Sequence, residues 1–129
     1  MTTRLARAVA AASAAALVLA GCASMGQPNS VRTSDGILTT APGMTLYTFD
    51  KDVAGSGKSA CVDQCAKNWP PLIAGDMTMP MGDWSVVTRN DGTRQWAYKG
   101  KPLYTWIKDT KPGDRTGDGF NNAWRIARS

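Results

Sequence analysis

One stretch of this chain occurs twice. Asp35-Gly36, then Pro42-Gly43-Met44-Thr45-Leu46-Tyr47-Thr48-Phe49-Asp50-Lys51-Asp52, returns as Asp91-Gly92, then Lys99-Gly100-Lys101-Pro102-Leu103-Tyr104-Thr105-Trp106-Ile107-Lys108-Asp109. After each copy a Gly-containing loop leads to an Asn and a Trp, Asn68-Trp69 in the first and Asn122-Ala123-Trp124 in the second. Self-similarity of this kind makes the domain a pair of related units that bury their apolar faces against each other. Each unit reads as a hairpin: Ile37 to Thr40 and Arg94 to Tyr98 lead through a Gly-containing turn, and Leu46 to Phe49 or Leu103 to Ile107 returns. In the return strands Leu46 and Thr48 face one way while Tyr47 and Phe49 face the other, so one face is aromatic. Trp84 to Arg89 is a further strand, joined to the next through Asn90-Asp91-Gly92. The helix candidate is Ala60 to Asn68, with Ser59 as N-cap and Pro70-Pro71 as the stop. The expected fold is mainly β: a small single domain of two pseudo-symmetric β-hairpin repeats with one short helix.

The rest of the chain frames that domain. Residues 1–21 carry Arg4 and Arg7, then an apolar run from Ala8 to Leu19, and read as a secretory signal whose apolar part is too short to span a bilayer. Leu19-Ala20-Gly21-Cys22 resembles the bacterial lipobox, which implies diacylation of the Cys22 thiol and cleavage before it. Two or three acyl chains hold a protein at a membrane surface, whereas one anchors marginally. Ala23 and Ser24 follow with no Asp, which in Gram-negative lipoproteins implies the outer membrane, facing the periplasm. Residues 22–33 read as a lipidated flexible tether and 34–129 as the domain, with repeat one over about 35–72 and repeat two over about 91–129.

Composition removes several chemistries. There is no His and no Glu, so a Ser-His-Asp triad, a His-ligated zinc and a paired-Glu mechanism are excluded, and every side-chain carboxylate is one of ten Asp. Setting Arg4 and Arg7 aside leaves 13 basic against 10 acidic residues, or +3, too weak a balance for a nucleic-acid partner. A retaining glycosidase needs two carboxyls about 5 Å apart, and nothing in the sequence indicates such a pair.

Within each copy a Tyr and an Asp stand five apart, Tyr47 with Asp52 and Tyr104 with Asp109. A hydroxyl-to-carboxylate bond, or carboxylate bonds to backbone amides, can close the loop of each hairpin. The other reading puts the Asp residues and the aromatic face, Phe49 and Trp106 included, in a ligand groove. The five Trp pose the same choice between core and a platform for a sugar ring. The two Tyr-x-aromatic-x-x-Asp segments resemble the signature of a bacterial family of predicted lipoproteins with a conserved Yx(FWY)xxD motif, the secreted repeat of unknown function. The likeness extends over Cys61-x-x-x-Cys65, Trp69-Pro70-Pro71-Leu72, Gly82-Asp83-Trp84-Ser85 and the loop from Gly113 to Gly119. It implies no biochemical activity.

With Cys22 lipidated, Cys61 and Cys65 remain in an exported protein and should pair. Four apart on a helix they lie about 6 Å from each other, within disulfide range. The alternative is soft-metal or redox handling, with Met77-x-Met79-x-Met81 as thioether ligands for Cu(I); otherwise these methionines fill gaps against the aromatics. The loop Gly113-Asp114-Arg115-Thr116-Gly117-Asp118-Gly119 lacks the calcium-loop register and reads as turns held by Asp side chains and Arg115. The functional expectation is a membrane-anchored envelope lipoprotein with no cofactor and no enzymatic activity. It would be a binding or scaffolding module with an envelope protein or glycan as partner. The alternative is a periplasmic copper or redox lipoprotein.

Overall fold

A computed structural model describes residues 26–129; the leader and Cys22 lie outside the described residues. The chain forms β1 (Val31–Ser34), β2 (Ile37–Thr40), β3 (Tyr47–Phe49), α1 (Gln64–Asn68), β4 (Ile73–Ala74), β5 (Trp84–Thr88), β6 (Arg94–Tyr98), β7 (Lys101–Pro102) and β8 (Trp124–Ile126), with a 3-10 turn at Phe120–Asn122. The architecture is mainly β with one short helix, as the sequence predicts.

The Asp-Gly turns behave as their chemistry requires. Asp35 and Gly36 both take left-handed backbone angles, with φ of 51° and 78°, and close a two-residue hairpin that aligns Ser34 with Ile37 and Val31 with Thr40. The β5–β6 hairpin turns over Asn90-Asp91-Gly92 and aligns Thr88 with Arg94 and Trp84 with Tyr98. Two expectations change here. The main partner of β2 is β1, which lies in the stretch read as a flexible tether, and the return strand meets β2 only at the Thr39–Thr45 bridge. Val31 is buried and the Gln27 amide donates to its carbonyl, so the ordered domain begins by Gln27 rather than near Ser34.

Each repeat lends its final strand to the other. β8, from the end of repeat two, pairs with β3 of repeat one and sets Tyr47 against Ile126 and Phe49 against Trp124. β4, from the end of repeat one, pairs with β6 of repeat two. The matching is detailed: Ala127 is clasped between Leu38 and Leu46 by bonds of 3.0 and 2.8 Å, as Leu72 is between Trp96 and Leu103 by two of 2.9 Å. At the centre Tyr47 N–H donates to the Tyr104 carbonyl at 2.8 Å and Tyr104 N–H to the Tyr47 carbonyl at 3.0 Å. A pseudo-twofold axis passes between these two tyrosines.

The alternation of the motif strands separates two cores. Tyr47, Phe49, Tyr104 and Trp106 join Trp69 and Trp124 in one, while Leu46 and Leu103 join Trp84, Trp96 and Leu38 in the other. All five tryptophans are buried, none more than 7% exposed, which removes the expected choice of an exposed Trp as a sugar platform. The helix is shorter than expected and Ser59 does not cap it. The Cys61 carbonyl, which a helix begun at Ala60 would give to the Cys65 N–H, accepts from Arg89 instead, and Asp63 takes a left-handed φ of 55° that starts the helix afresh at Gln64.

Because Phe49 stacks on Trp124 and Trp106 on Trp69, each motif ring supports the other repeat's Trp. Phe49→Ala and Trp106→Ala should therefore destabilise to similar extents, by about 3–5 kcal/mol each, read from urea unfolding.

Candidate functional site

Sequence reasoning places each motif Tyr with the Asp of its own copy. The structure crosses them. The Tyr47 hydroxyl donates to Asp109 Oδ2 at 2.6 Å, and the Tyr104 hydroxyl donates to Asp52 Oδ2 at 2.6 Å. The strand pairing explains the exchange: the Tyr47–Tyr104 bridge puts each ring beside the loop that follows the opposite strand. Both rings are fully buried, and Asp52 and Asp109 are only 3% and 6% exposed.

Each carboxylate's other oxygen is also occupied. Asp109 Oδ1 accepts from Thr116 N–H at 2.9 Å and Thr116 Oγ1 at 2.6 Å, and Asp52 Oδ1 accepts from Ala60 N–H at 2.6 Å. Gly117 N–H donates to the Tyr47 oxygen, while the Ser59 hydroxyl bonds the Tyr104 oxygen at 2.6 Å. Ser59 and Thr116 follow Asp52 and Asp109 at the same interval, a recurrence that was visible in the sequence and overlooked there. Gly117 is required by space: a Cβ there would stand 2.7 Å from Trp69 and 3.1 Å from Tyr47.

The two sites differ most in what lies beside Tyr104. Beside Tyr104 lies Arg89, buried, with its guanidinium donating to Ser59 at 2.9 Å, to Gln95 Oε1 at 2.7 Å and to the Cys61 carbonyl at 2.6 Å. Gln95, fully buried, in turn donates to the Leu103 carbonyl. Thus a buried cation reaches the Asp52 carboxylate through two hydroxyls. Burial, then the Asp109 carboxylate, pushes the Tyr47 hydroxyl well above the ordinary phenol range; burial, then Asp52, does the same to Tyr104.

Over this lattice lies the aromatic stack. Trp69 and Trp124 lie parallel, 3.7 Å apart at 2°, between Phe49 on one side and Trp106 on the other. Tyr47 meets Trp69 edge-on at 5.3 Å and Tyr104 meets Trp124 edge-on at 5.1 Å. A shallow cleft of about 310 Å³ opens at the stack's edge, lined by Lys51, Asn68, Phe120 and Asn121 among others. Phe120, 39% exposed, is the ring that water reaches there.

Cys61 and Cys65 form the expected disulfide, with Cα atoms 5.1 Å apart. While it stands, neither sulfur is a thiolate ligand. The methionines do not act as one group: Met81 packs against the second core, whereas Met77 and Met79 are 91% and 72% exposed and fill no gap. In the loop from Gly113 to Gly119, Asp114 caps Thr110 and Lys111, and its carboxyl is held down at about 2 by the Lys111 hydrogen bond and the Thr110 amide. Asp118 accepts from Ile126 N–H, but Arg115, expected to help hold the loop, leaves its side chain exposed. No group of three or more Cys or Asp among the described residues is placed to hold a metal ion.

A family model described as the secreted repeat of unknown function matches residues 29–73 and again 85–128. No curated protein and no solved structure matches the chain.

Crossed bonding has a direct test. Double-mutant cycles should give a coupling of about 1.5–3 kcal/mol, the range for a hydrogen bond to a charged group, for Tyr47→Phe with Asp109→Asn and for Tyr104→Phe with Asp52→Asn. Pairings within one motif, Tyr47 with Asp52 and Tyr104 with Asp109, should be close to additive.

The tyrosines also set an alkaline limit. A group whose proton is held more tightly in the folded state contributes stability that is complete below its unfolded pKa, about 10 for Tyr, and lost as pH rises towards the folded value. Urea midpoints should fall as pH climbs above about 10, and phenolate absorbance from Tyr47 and Tyr104 should appear only with unfolding. Tyr47→Phe and Tyr104→Phe should each start less stable and fall less steeply.

Proposed function

Because the chain belongs to the family of the secreted repeat of unknown function, we propose that it is a lipid-anchored lipoprotein of the bacterial envelope whose domain is a non-enzymatic binding or scaffolding module. Cys22 is the attachment point, at the outer membrane and facing the periplasm. Export accords with the family description and with the disulfide. Among the described residues no helix is long and apolar enough to cross a membrane; acyl chains at Cys22 supply the attachment.

The observation that carries the non-enzymatic reading is the commitment of the motif itself. Tyr47, Asp52, Tyr104 and Asp109 are buried, bonded to one another across the repeats and saturated by neighbouring amides and hydroxyls. Groups used in this way hold the two repeats together and are not free to move protons or attack a substrate. The role then belongs to the surface loops that the lattice holds in place, with an envelope protein or a glycan as partner.

A soft-metal role is the second reading, favoured only by the exposure of Met77 and Met79 and weakened by the disulfide that occupies Cys61 and Cys65. Stoichiometric copper in protein purified from the periplasm would move the assignment there.

Anchoring predicts that a clickable fatty acid fed to cells labels the wild type, and that Cys22→Ser abolishes the label and releases the protein to the soluble fraction. Equal labelling of the two would overturn the reading.

A further inference from the structure

Gly26 is the first described residue, and only Ala23, Ser24 and Met25 separate it from Cys22. Four steps of fully extended chain reach about 14 Å. At Gln27 the chain is already fastened to the domain: its amide donates to the Val31 carbonyl at 2.9 Å, and it accepts from Thr33 Oγ1 at 3.1 Å. The Gly26 carbonyl itself lies beside Gly82, 4.0 Å from where a Cβ there would stand. An acylated Cys22 therefore keeps Gly26, and Gly82 beside it, within about 14 Å of the anchored residue.

Gly82 belongs to the segment between β4 and β5. Met79 stands three residues before Gly82, within about 10 Å along the chain. Met77 and Met79, at 91% and 72% exposed, are the two most exposed large apolar side chains described. The base of the segment is fixed: Met81 and Trp84 exchange backbone bonds of 3.0 and 2.8 Å, Thr78 N–H donates to the Gly75 carbonyl at 3.0 Å, and the Met81 side chain packs inward. Arg94 and Lys99 stand at the two ends of the segment, each beside one of its own exposed acids, Asp76 and Asp83, and Tyr98 stands next to Lys99. The Arg94 guanidinium donates to the Asp76 carbonyl, Lys99 N–H donates to the Asp83 carbonyl at 2.8 Å, and Lys99 Nζ lies 5.3 Å from the centre of the half-buried Tyr98 ring. Flexible apolar tips flanked by cations with long stems and an amphipathic ring suit the boundary between headgroups and acyl chains.

We propose that the Met77–Met79 tip inserts into the headgroup layer of the membrane to which Cys22 is anchored, with Arg94 and Lys99 against lipid phosphates. The inference rests on the lipid anchor proposed above and adds the orientation of the domain.

The test is a peroxide footprint of the full chain. Acylated protein in vesicles of phosphatidylethanolamine and phosphatidylglycerol is compared with Cys22→Ser protein in the same suspension, and sulfoxide at Met77 and Met79 is followed by mass spectrometry. Oxidation at both positions should be slowed roughly tenfold in the anchored form as the thioethers leave water. Amide exchange over residues 77–79 should slow with it, and in an anchored Met77→Asp, Met79→Asp variant it should return to the soluble rate. Both side chains are exposed, so that variant leaves the core intact. Wild-type protein found unacylated at Cys22 overturns the anchor and this inference together. Acylated protein whose two methionines oxidise as fast as in Cys22→Ser overturns this inference alone.

Discussion

Two hydroxyl-to-carboxylate bonds, each running from one repeat to the other, are the constraint on which this domain depends. Tyr47 to Asp109 and Tyr104 to Asp52 bury two carboxylates that would be costly to hide without donors. These two contacts together join the repeats, close the loops after β3 and β7, and set the edges of both rings against the Trp69–Trp124 stack. The stack in turn is crossed, since Phe49 covers the second repeat's Trp and Trp106 the first's. Backbone, polar and aromatic layers all share the same exchange.

The symmetry is incomplete where polarity enters. The bonds that make Leu38 the counterpart of Trp96 make Ile37 the counterpart of Gln95, and Ile37 lies in the aromatic core whereas Gln95 holds Arg89 and the Leu103 carbonyl. Around Tyr47 the corresponding work is done by Thr116 and two backbone amides. One half of the domain therefore carries a buried guanidinium beside its lock and the other does not. Asymmetry of this kind fixes which half is which, because neither set of neighbours could serve the other site without leaving a polar group unpaired.

Much of this was written locally in the chain. The alternation Leu46-Tyr47-Thr48-Phe49 sorts the two cores, the Asp-Gly pairs mark the turns, and the cysteine spacing allows the disulfide. What stayed hidden is the choice of partner. Tyr47 satisfies the same valences with Asp52 or with Asp109, and two near-identical strands give periodicity no means of saying which loop lies beside which ring. β1 was masked by composition, because an edge strand with one buried residue, Val31, reads like a polar tether. The helix start was displaced because Arg89 takes the Cys61 carbonyl and Asp63 adopts a left-handed φ, neither of which a local signal announces. The methionine triplet suggested one group until the Met81–Trp84 bridge turned one of its members inward.

The exchange of final strands also orders events in time. Chain synthesis delivers residues from the N-terminus, yet the first repeat receives Trp124, Ile126 and Ala127 as strand partners and buried core members, and Ser129 N–H closes back onto the Gly36 carbonyl at 2.9 Å. Nothing before the last few residues can complete even half of the domain. The contacts that finish it span most of the sequence, so folding waits on closure of a long loop and then proceeds as one step. In a secreted protein this leaves residues 29–73 without their partner strand until residues 124–127 are free to pair.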